Sequence, residues 1–253
     1  MPSYTATALV IHRNNLAEND CILTLYTSEL GKISAVAKGA RKPTSRFSGA
    51  TELFTVFHGL LATGRTLDIL TQCEIVQSYT PLRYDLDRLA RATYFCEVLD
   101  RFTMERDPVN AEALFQLTTA ALRLLQETQA TPDVITHAYE LRLLGEQGYS
   151  PICDACVKCG REIVHGQVGF SPSLGGVLCS SDRYKTEDSV PLSAEALEAL
   201  QLLPELDGEE LLDFHPSHKA LQEVGRALRW YIKLRAERAI KSADFLDQLR
   251  ANQ

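Results

Sequence analysis

The sequence predicts an α+β chain of more than one domain: an N-terminal barrel of five strands, then an all-helical domain with a Cys-rich metal-binding module inserted in it. Three observations carry this prediction. Short β-branched and aromatic runs separated by turn formers fill the first 80 residues, apolar residues recur at three and four from Pro81 onward, and Cys153, Cys156, Cys159 and Cys179 crowd into one Gly-rich segment.

The strands are expected at Thr5 to His12, Ile22 to Thr27, Lys32 to Ala37, Glu52 to Leu60 and Leu67 to Val76. Asn14-Asn15, Leu30-Gly31, a long basic loop and Thr63-Gly64 separate them. Five-stranded Greek-key barrels of this length include the OB-fold, which holds single-stranded nucleic acid across its sheet face. An SH3-like barrel satisfies the same pattern.

Helices follow. Leu86, Leu89, Thr93, Cys96, Leu99 and Phe102 share one face, Leu114 to Leu125 repeats the period, and Thr131-Pro132 places an N-cap before a proline at the first helical position. Gly145, Gly148 and Pro151 end the third helix, and helices resume at Ser193, at Ser217 to Arg238 and at Ala243 to Leu249. The expected domains are therefore residues 1–80, a helical domain in two parts at 81–150 and 191–253, and a metal-binding insertion at 151–190.

In the run Cys153-Asp154-Ala155-Cys156-Val157-Lys158-Cys159-Gly160 each cysteine stands three residues after the last, so consecutive thiolates can face one centre while the chain turns. Cys179 follows a second turn at Gly175-Gly176 and supplies the distal ligand. A C-x2-C pair also serves disulfide exchange. Three cysteines at this spacing also begin a ferredoxin-type cluster run, but that run continues with a nearby fourth cysteine and proline, which are missing here.

At 253 residues, with 45% in the hydrophobic set and 23% charged, the chain can bury more than one core. No cationic start precedes an apolar block and no eighteen-residue apolar run occurs, which predicts no export signal, no membrane partner and a cytoplasmic protein. Seven cysteines then fit a reducing compartment, with Cys21, Cys73 and Cys96 as core thiols.

Net charge is −7, so any polyanion site must be a local concentration of positive charge. One such place is the loop around Lys38, Arg41, Lys42 and Arg46, preceded by Lys32 and free of acidic residues. Its Ser45 and Ser48 hydroxyls suit phosphate, and its Phe47 is a candidate to stack on a base. A solvated loop that merely aids solubility is the plain alternative. The second place is the C-terminal helix, where Arg226, Arg229 and Lys233 share a face opposite Leu221, Val224, Leu228 and Tyr231, and Arg235, Arg238 and Lys241 follow. Arginines near a helix C-terminus also suit its dipole, and Trp230 is expected in the core.

Taken together, Glu18-Asn19-Asp20, Ala37-Lys38-Gly39-Ala40-Arg41-Lys42, Ser45-Arg46, Gly148-Tyr149-Ser150-Pro151 and Cys156-Val157-Lys158-Cys159-Gly160, in that order along the chain, resemble the bacterial DNA repair family RecO. The resemblance spans nearly the whole chain. It implies an OB-fold, a helical domain and a structural Zn2+ module in a recombination mediator without covalent catalysis. Its implied partners are single- and double-stranded DNA, RecR, single-strand-binding protein and, in many bacteria, RecF. Its implied activities are annealing of complementary strands and loading of RecA, in the nucleoid. Carried onto this chain, the DNA contacts are Lys38, Arg41, Lys42 and Arg46.

The metal module departs from the family's pattern, which has two C-x2-C pairs: Asp182 stands where the fourth cysteine would be. Because thiolate is the better zinc ligand and Cys153 lies one knuckle step away, the expected set is Cys153, Cys156, Cys159 and Cys179, with Asp182 second choice and His165 third.

No Walker loop, Gly-x-Ser-x-Gly elbow or His-Glu-x-x-His occurs, and the six histidines form no evident triad, so no enzyme is predicted. The acidic cluster Glu205, Asp207, Glu209, Glu210 and Asp213 reads as a solvated or protein-docking face. A zinc-containing protein-interaction module without direct DNA binding is the alternative from another class.

Overall fold

The computed structural model describes residues 2–16, 18–127, 131–163, 167–236 and 238–251. They fall into two compact units, Met1–Gln126 with Lys241–Gln253, and Glu127–Ile240.

In the first unit the strands are β1 (Ser3–Asn15), β2 (Cys21–Thr27), β3 (Gly31–Ala37), β4 (Thr55–Ala62) and β5 (Asp68–Ser78). They close in the order β1-β2-β3-β5-β4. All pairings are antiparallel except a short parallel seam that matches Ala35 with Asp68 and Val36 with Ile69. Alternate side chains point inward, and Ala8, Val10, Leu23, Leu25, Ile33 and Phe57 fill the interior with no exposed surface.

Gly31 opens β3 at φ +66, and a β-carbon there would stand 2.2 Å from the Asp107 carbonyl oxygen. Only glycine permits both that conformation and that approach. The close approach matters because segment 105–107 docks on β3: the Arg106 N–H donates to the Lys32 carbonyl (2.7 Å), and the Arg106 guanidinium meets buried Asp68 at 2.6 Å. Tyr4 also donates to Asp68.

Three helices complete this unit: α1 (Leu86–Phe102), α2 (Ala111–Glu127) and, from much later in the chain, α7 (Lys241–Ala251). The Asp85 side chain caps α1 by accepting the Arg88 N–H. The sequence suggested one buried face for α1, but Leu86 is exposed and the run from Ala90 to Leu99 is buried almost throughout, with only Thr93 left partly open. Glu97, itself buried, makes this possible: its carboxylate accepts the Ser242 hydroxyl and N–H and the Lys241 N–H, and pairs with Arg101 at 3.2 Å. One carboxylate thus fixes the first turn of α7 on α1.

The second unit holds α3 (Pro132–Glu146), a three-stranded sheet ordered β7-β6-β8 from β6 (Val168–Ser171), β7 (Gly176–Leu178) and β8 (Val190–Leu192), then α4 (Ala194–Leu202), α5 (Gly208–Asp213) and α6 (His218–Arg235). Ser193 and Ser217 cap α4 and α6 with side chains that accept the Ala196 and Ala220 N–H groups. Inside α3 the buried His137 ring sits 2.7 Å from buried Glu140. Among the described residues no helix is long and apolar enough to cross a membrane.

Candidate nucleic-acid interface and metal centre

The connection from β3 to β4 is a run of turns rather than a free loop. Its start is tied to the β1–β2 connection. The Asp20 carboxylate accepts the Gly39 N–H (2.7 Å), the Asn19 carbonyl accepts the Arg41 N–H (3.0 Å), and the Glu18 carbonyl accepts from the Arg41 guanidinium (3.1 Å). Glu18-Asn19-Asp20 is therefore the clamp that shapes the basic segment.

Lys38, Arg41, Lys42 and Arg46 are all exposed, and among the described residues no ion pair to a carboxylate engages Lys38, Lys42 or Arg46. Arg46 donates to the Thr71 carbonyl on β5 (2.8 Å) and lies over the Phe47 ring at 4.9 Å. Backbone carbonyls steer these two guanidiniums, and with Lys38 and Lys42 they make an exposed cationic segment of the barrel wall.

Two neighbours behave otherwise. Lys32 turns inward, donates to the Asp100 and Thr103 carbonyls (2.6 and 2.7 Å) and pairs with Asp100 at 3.1 Å, so its charge is spent within the fold. Phe47, the candidate base platform, is 6% exposed and belongs to the barrel core. In a wall of short turns it adds apolar mass to the barrel core, and burial outweighs display. Ser45 accepts the Phe47 N–H at 3.1 Å, while Ser48 is open.

The metal candidates sit in the second unit on two turns. The first is a tight hairpin in which Ala155 bridges Glu162, the Cys156 N–H donates to the Arg161 carbonyl (2.8 Å), and Gly160 takes φ +70 to close it. The second follows β7, where the Asp182 and Arg183 N–H groups both donate to the Cys179 carbonyl. The Val157 N–H donates to the Val177 carbonyl (2.9 Å) and binds the two turns together.

As a result one ligand atom from each of Cys156, Cys159, Cys179 and Asp182 lies within 4.8 Å of the others. The Cys159 and Cys179 sulfurs are 3.9 Å apart, and Asp182 Oδ2 stands 3.6 and 3.3 Å from the Cys156 and Cys179 sulfurs. A tetrahedron with zinc's usual bond lengths has S···S edges of about 3.8 Å and S···O edges of about 3.5 Å. The separations match those edges and are far too long for a disulfide.

The four groups share protons unevenly: at Cys159 the Arg161 N–H favours the thiolate, but contacts with Asp182, Cys156 and Cys179 prevail and push the pKa up to about 11. Burial works against the Cys156 thiolate, but the N–H groups of Cys179, Cys159 and Lys158 hold its pKa below the ordinary value. Contacts with Cys159 and Cys179 likewise hold the Asp182 carboxyl low. Three thiols and a carboxylate with backbone donors at the sulfurs form a closed zinc-type donor set.

Cys153, the favoured fourth ligand, is not in the group. The Ile152 backbone is pinned between Gly175 and Val177, and the Cys153 carbonyl accepts from Gln201 of α4 (2.9 Å). Cys153 lines a cavity with Leu141 of α3 and Leu200 and Gln201 of α4, and burial of its thiol, followed by the charge of Asp154, pushes its pKa up to about 12. Asp182 takes the place instead. Its position three residues after Cys179, the same step as Cys156 to Cys159, was the signal for it in the sequence. His165 lies outside the described residues.

Elsewhere, Cys21 and Cys96 are buried and Cys73 is half-buried. Glu205, Asp207, Glu209, Glu210 and Asp213 are exposed around α5, and no metal-type grouping among the described residues includes them. Trp230, expected in the core, is 57% exposed.

Comparison with known proteins agrees along the chain. The family model described as Recombination protein O N terminal matches residues 1–79, and that described as Recombination protein O C terminal matches residues 83–244. The protein called DNA repair protein RecO in Symbiobacterium thermophilum is 42% identical over 253 residues, covering 99% of each chain. Its namesake in Desulforamulus reducens is 34% identical over 249 residues, 98% of this chain and 96% of the relative. The one in Acetivibrio thermocellus is 32% identical over 241 residues, 95% of each.

Proposed function

The chain belongs to the recombination protein O family of DNA repair proteins, and from that premise we propose that it is a recombination mediator that binds single- and double-stranded DNA and anneals complementary strands. The observation that carries this reading is the exposed cationic quartet Lys38, Arg41, Lys42 and Arg46 on a segment braced by Asp20 in a chain of net charge −7. Cations fixed on a rigid wall neutralise phosphates without first losing conformational freedom. Two strands that approach such a surface repel one another less, and their bases can pair.

In this reading the barrel is an OB-fold with residues 1–80 as the DNA-binding domain, supported by its strand order and parallel β3–β5 seam. Residues 151–190 form a zinc-binding insertion that stands, in sequence, between the helical segments 81–150 and 191–253. Cys156, Cys159, Cys179 and Asp182 would hold a structural Zn2+, because four protein ligands leave no position for an activating water. The protein works in the cytoplasm on the nucleoid, without covalent catalysis. With RecR, and with RecF where it participates, it helps place RecA on DNA coated by single-strand-binding protein.

The test is annealing of complementary oligonucleotides, one of them labelled, with and without single-strand-binding protein. Wild type should accelerate pairing and the Lys38→Glu/Arg41→Glu/Lys42→Glu variant should not. Equal acceleration by both removes the loop from the reading. No acceleration by wild type leaves a protein-interaction module as the function.

A further inference from the structure

Helix α6 has two faces of different kinds. Leu221, Val224, Leu228 and Tyr231 are at most 3% exposed and pack inside the second unit. On the opposite side Arg226, Arg229, Trp230 and Lys233 fall at i, i+3, i+4 and i+7, one stripe of the helix. Arg226 and Lys233 are exposed, Trp230 is 57% exposed, and Leu234 beside it is 55% exposed. Glu223 is the one acidic residue in α6, and its carboxylate is occupied by the Ser193 N–H at 2.6 Å.

An indole left in water on a helix whose other face is well packed contributes nothing to the fold, and hydration opposes its display. Its surroundings indicate what would cover it. Arg226 stands one turn before Trp230 and Lys233 one turn after, so the two cations flank the ring along about 10 Å of helix axis. We propose that this outer face of α6 is a second nucleic-acid surface, on which a base of a single strand stacks on Trp230 while Arg226 and Lys233 take the phosphates on either side. Flat apolar area between two cations matches the alternation of base and phosphate in an unpaired strand. A duplex keeps its base faces stacked inside and offers the indole nothing. The surface lies in the second unit, whereas Lys38, Arg41, Lys42 and Arg46 lie in the first, so each unit would carry its own strand contact.

Trp230 is the only tryptophan in the chain, which makes its intrinsic fluorescence a reporter of this face alone. The full chain is titrated with an oligothymidylate, with the same strand lacking its bases, with the duplex and with polyglutamate. The expected result is saturable quenching by the oligothymidylate alone, retained in the Lys38→Glu/Arg41→Glu/Lys42→Glu variant. Arg226→Glu/Lys233→Glu should weaken that quenching about tenfold with unchanged circular dichroism. Trp230→Ala, followed by anisotropy of a labelled oligonucleotide in the loop variant, should weaken the residual binding about tenfold, and Trp230→Phe should restore most of it. Equal quenching by the baseless strand, the duplex or polyglutamate overturns the proposal, as does quenching insensitive to the Arg226/Lys233 reversal. Anisotropy binding by wild type without any quenching sinks this surface and leaves the barrel loop standing; loss of both signals sinks both.

Discussion

Reversing three charges on the barrel changes a quantity that can be worked out beforehand. Lys38, Arg41 and Lys42 are all exposed. The Arg41 N–H bond to Asn19 and the Gly39 N–H bond to Asp20 use the backbone, so they survive replacement of these side chains by Glu. Each phosphate neutralised on a single strand contributes about −0.7 to the slope of log K against log salt. With Arg46, the four cations give the loop a slope of about −2.8, a loss of roughly fiftyfold between about 50 and 200 mM salt. Lys38→Glu/Arg41→Glu/Lys42→Glu removes three contacts and should flatten the slope by about 2, whatever other surfaces add to the total. The assay is anisotropy of a labelled oligonucleotide over a salt series, with circular dichroism as the control for folding. A change in slope below about 1 in a folded variant refutes the assignment of phosphates to these residues.

Three further outcomes are expected. Purified protein should contain about one zinc per chain and be colourless; Asp182→Ala should weaken metal affinity more than about 100-fold, beyond the range for outer-shell partners, while Cys153→Ser leaves zinc content unchanged, and the reverse pattern in a metal titration returns Cys153 to the site. Burial opposes the Glu97 carboxylate, but its bonds from Ser242 and Lys241 and the charge of Arg101 prevail and hold its pKa below the ordinary value. Its contribution, about 1.5–3 kcal/mol for bonds to a charged group, is therefore complete above the unfolded carboxyl pKa and lost as pH falls through the folded one. Protection of the α7 amides, taken relative to the intrinsic exchange rate at each pH, should fall below about pH 4 in wild type and lose that fall in Glu97→Gln. Gly31→Ala must move the Asp107 carbonyl and hold alanine at φ +66; a cost of about 3 kcal/mol follows, and thermal melting within about 2 °C of wild type would show that segment 105–107 yields easily.

Much of this fold is legible in the chain because local chemistry and final structure agree. The five strands lie within a few residues of their expected spans, since period-two burial and the turn formers at Gly31 and Gly64 agree; the expected break at Asn14-Asn15 fails, because β1 runs on through both and pairs them with Ile22 and Cys21. Ser193 and Ser217 mark two helix starts and serve as their caps. What was illegible depends on distant partners. Phe47 sits among polar turn residues, and only closure of the barrel makes it core. Trp230 belongs to an apolar pattern by composition, yet its angular position on α6 turns it to solvent. Ligand chemistry favoured Cys153, but the bonds of Ile152 to Gly175 and Val177 decide which way that segment faces, and they bring Asp182 to the sulfurs. The carboxylate of Glu97 gave no hint that a helix starting 144 residues onward would come to rest on it.

That helix has a consequence for how the molecule is made. Because α7 follows the second unit in sequence but packs within the first, the first unit is discontinuous and the second is a continuous stretch, Glu127–Ile240. Without α7 the second unit can therefore still fold, while the first is left with Glu97 ionised and no Ser242 to meet it. The barrel's strands are available early, but the helical layer beside them closes last. A chain truncated after Ile240 should accordingly hold a protease-resistant second unit and an α1 that is still open to cleavage.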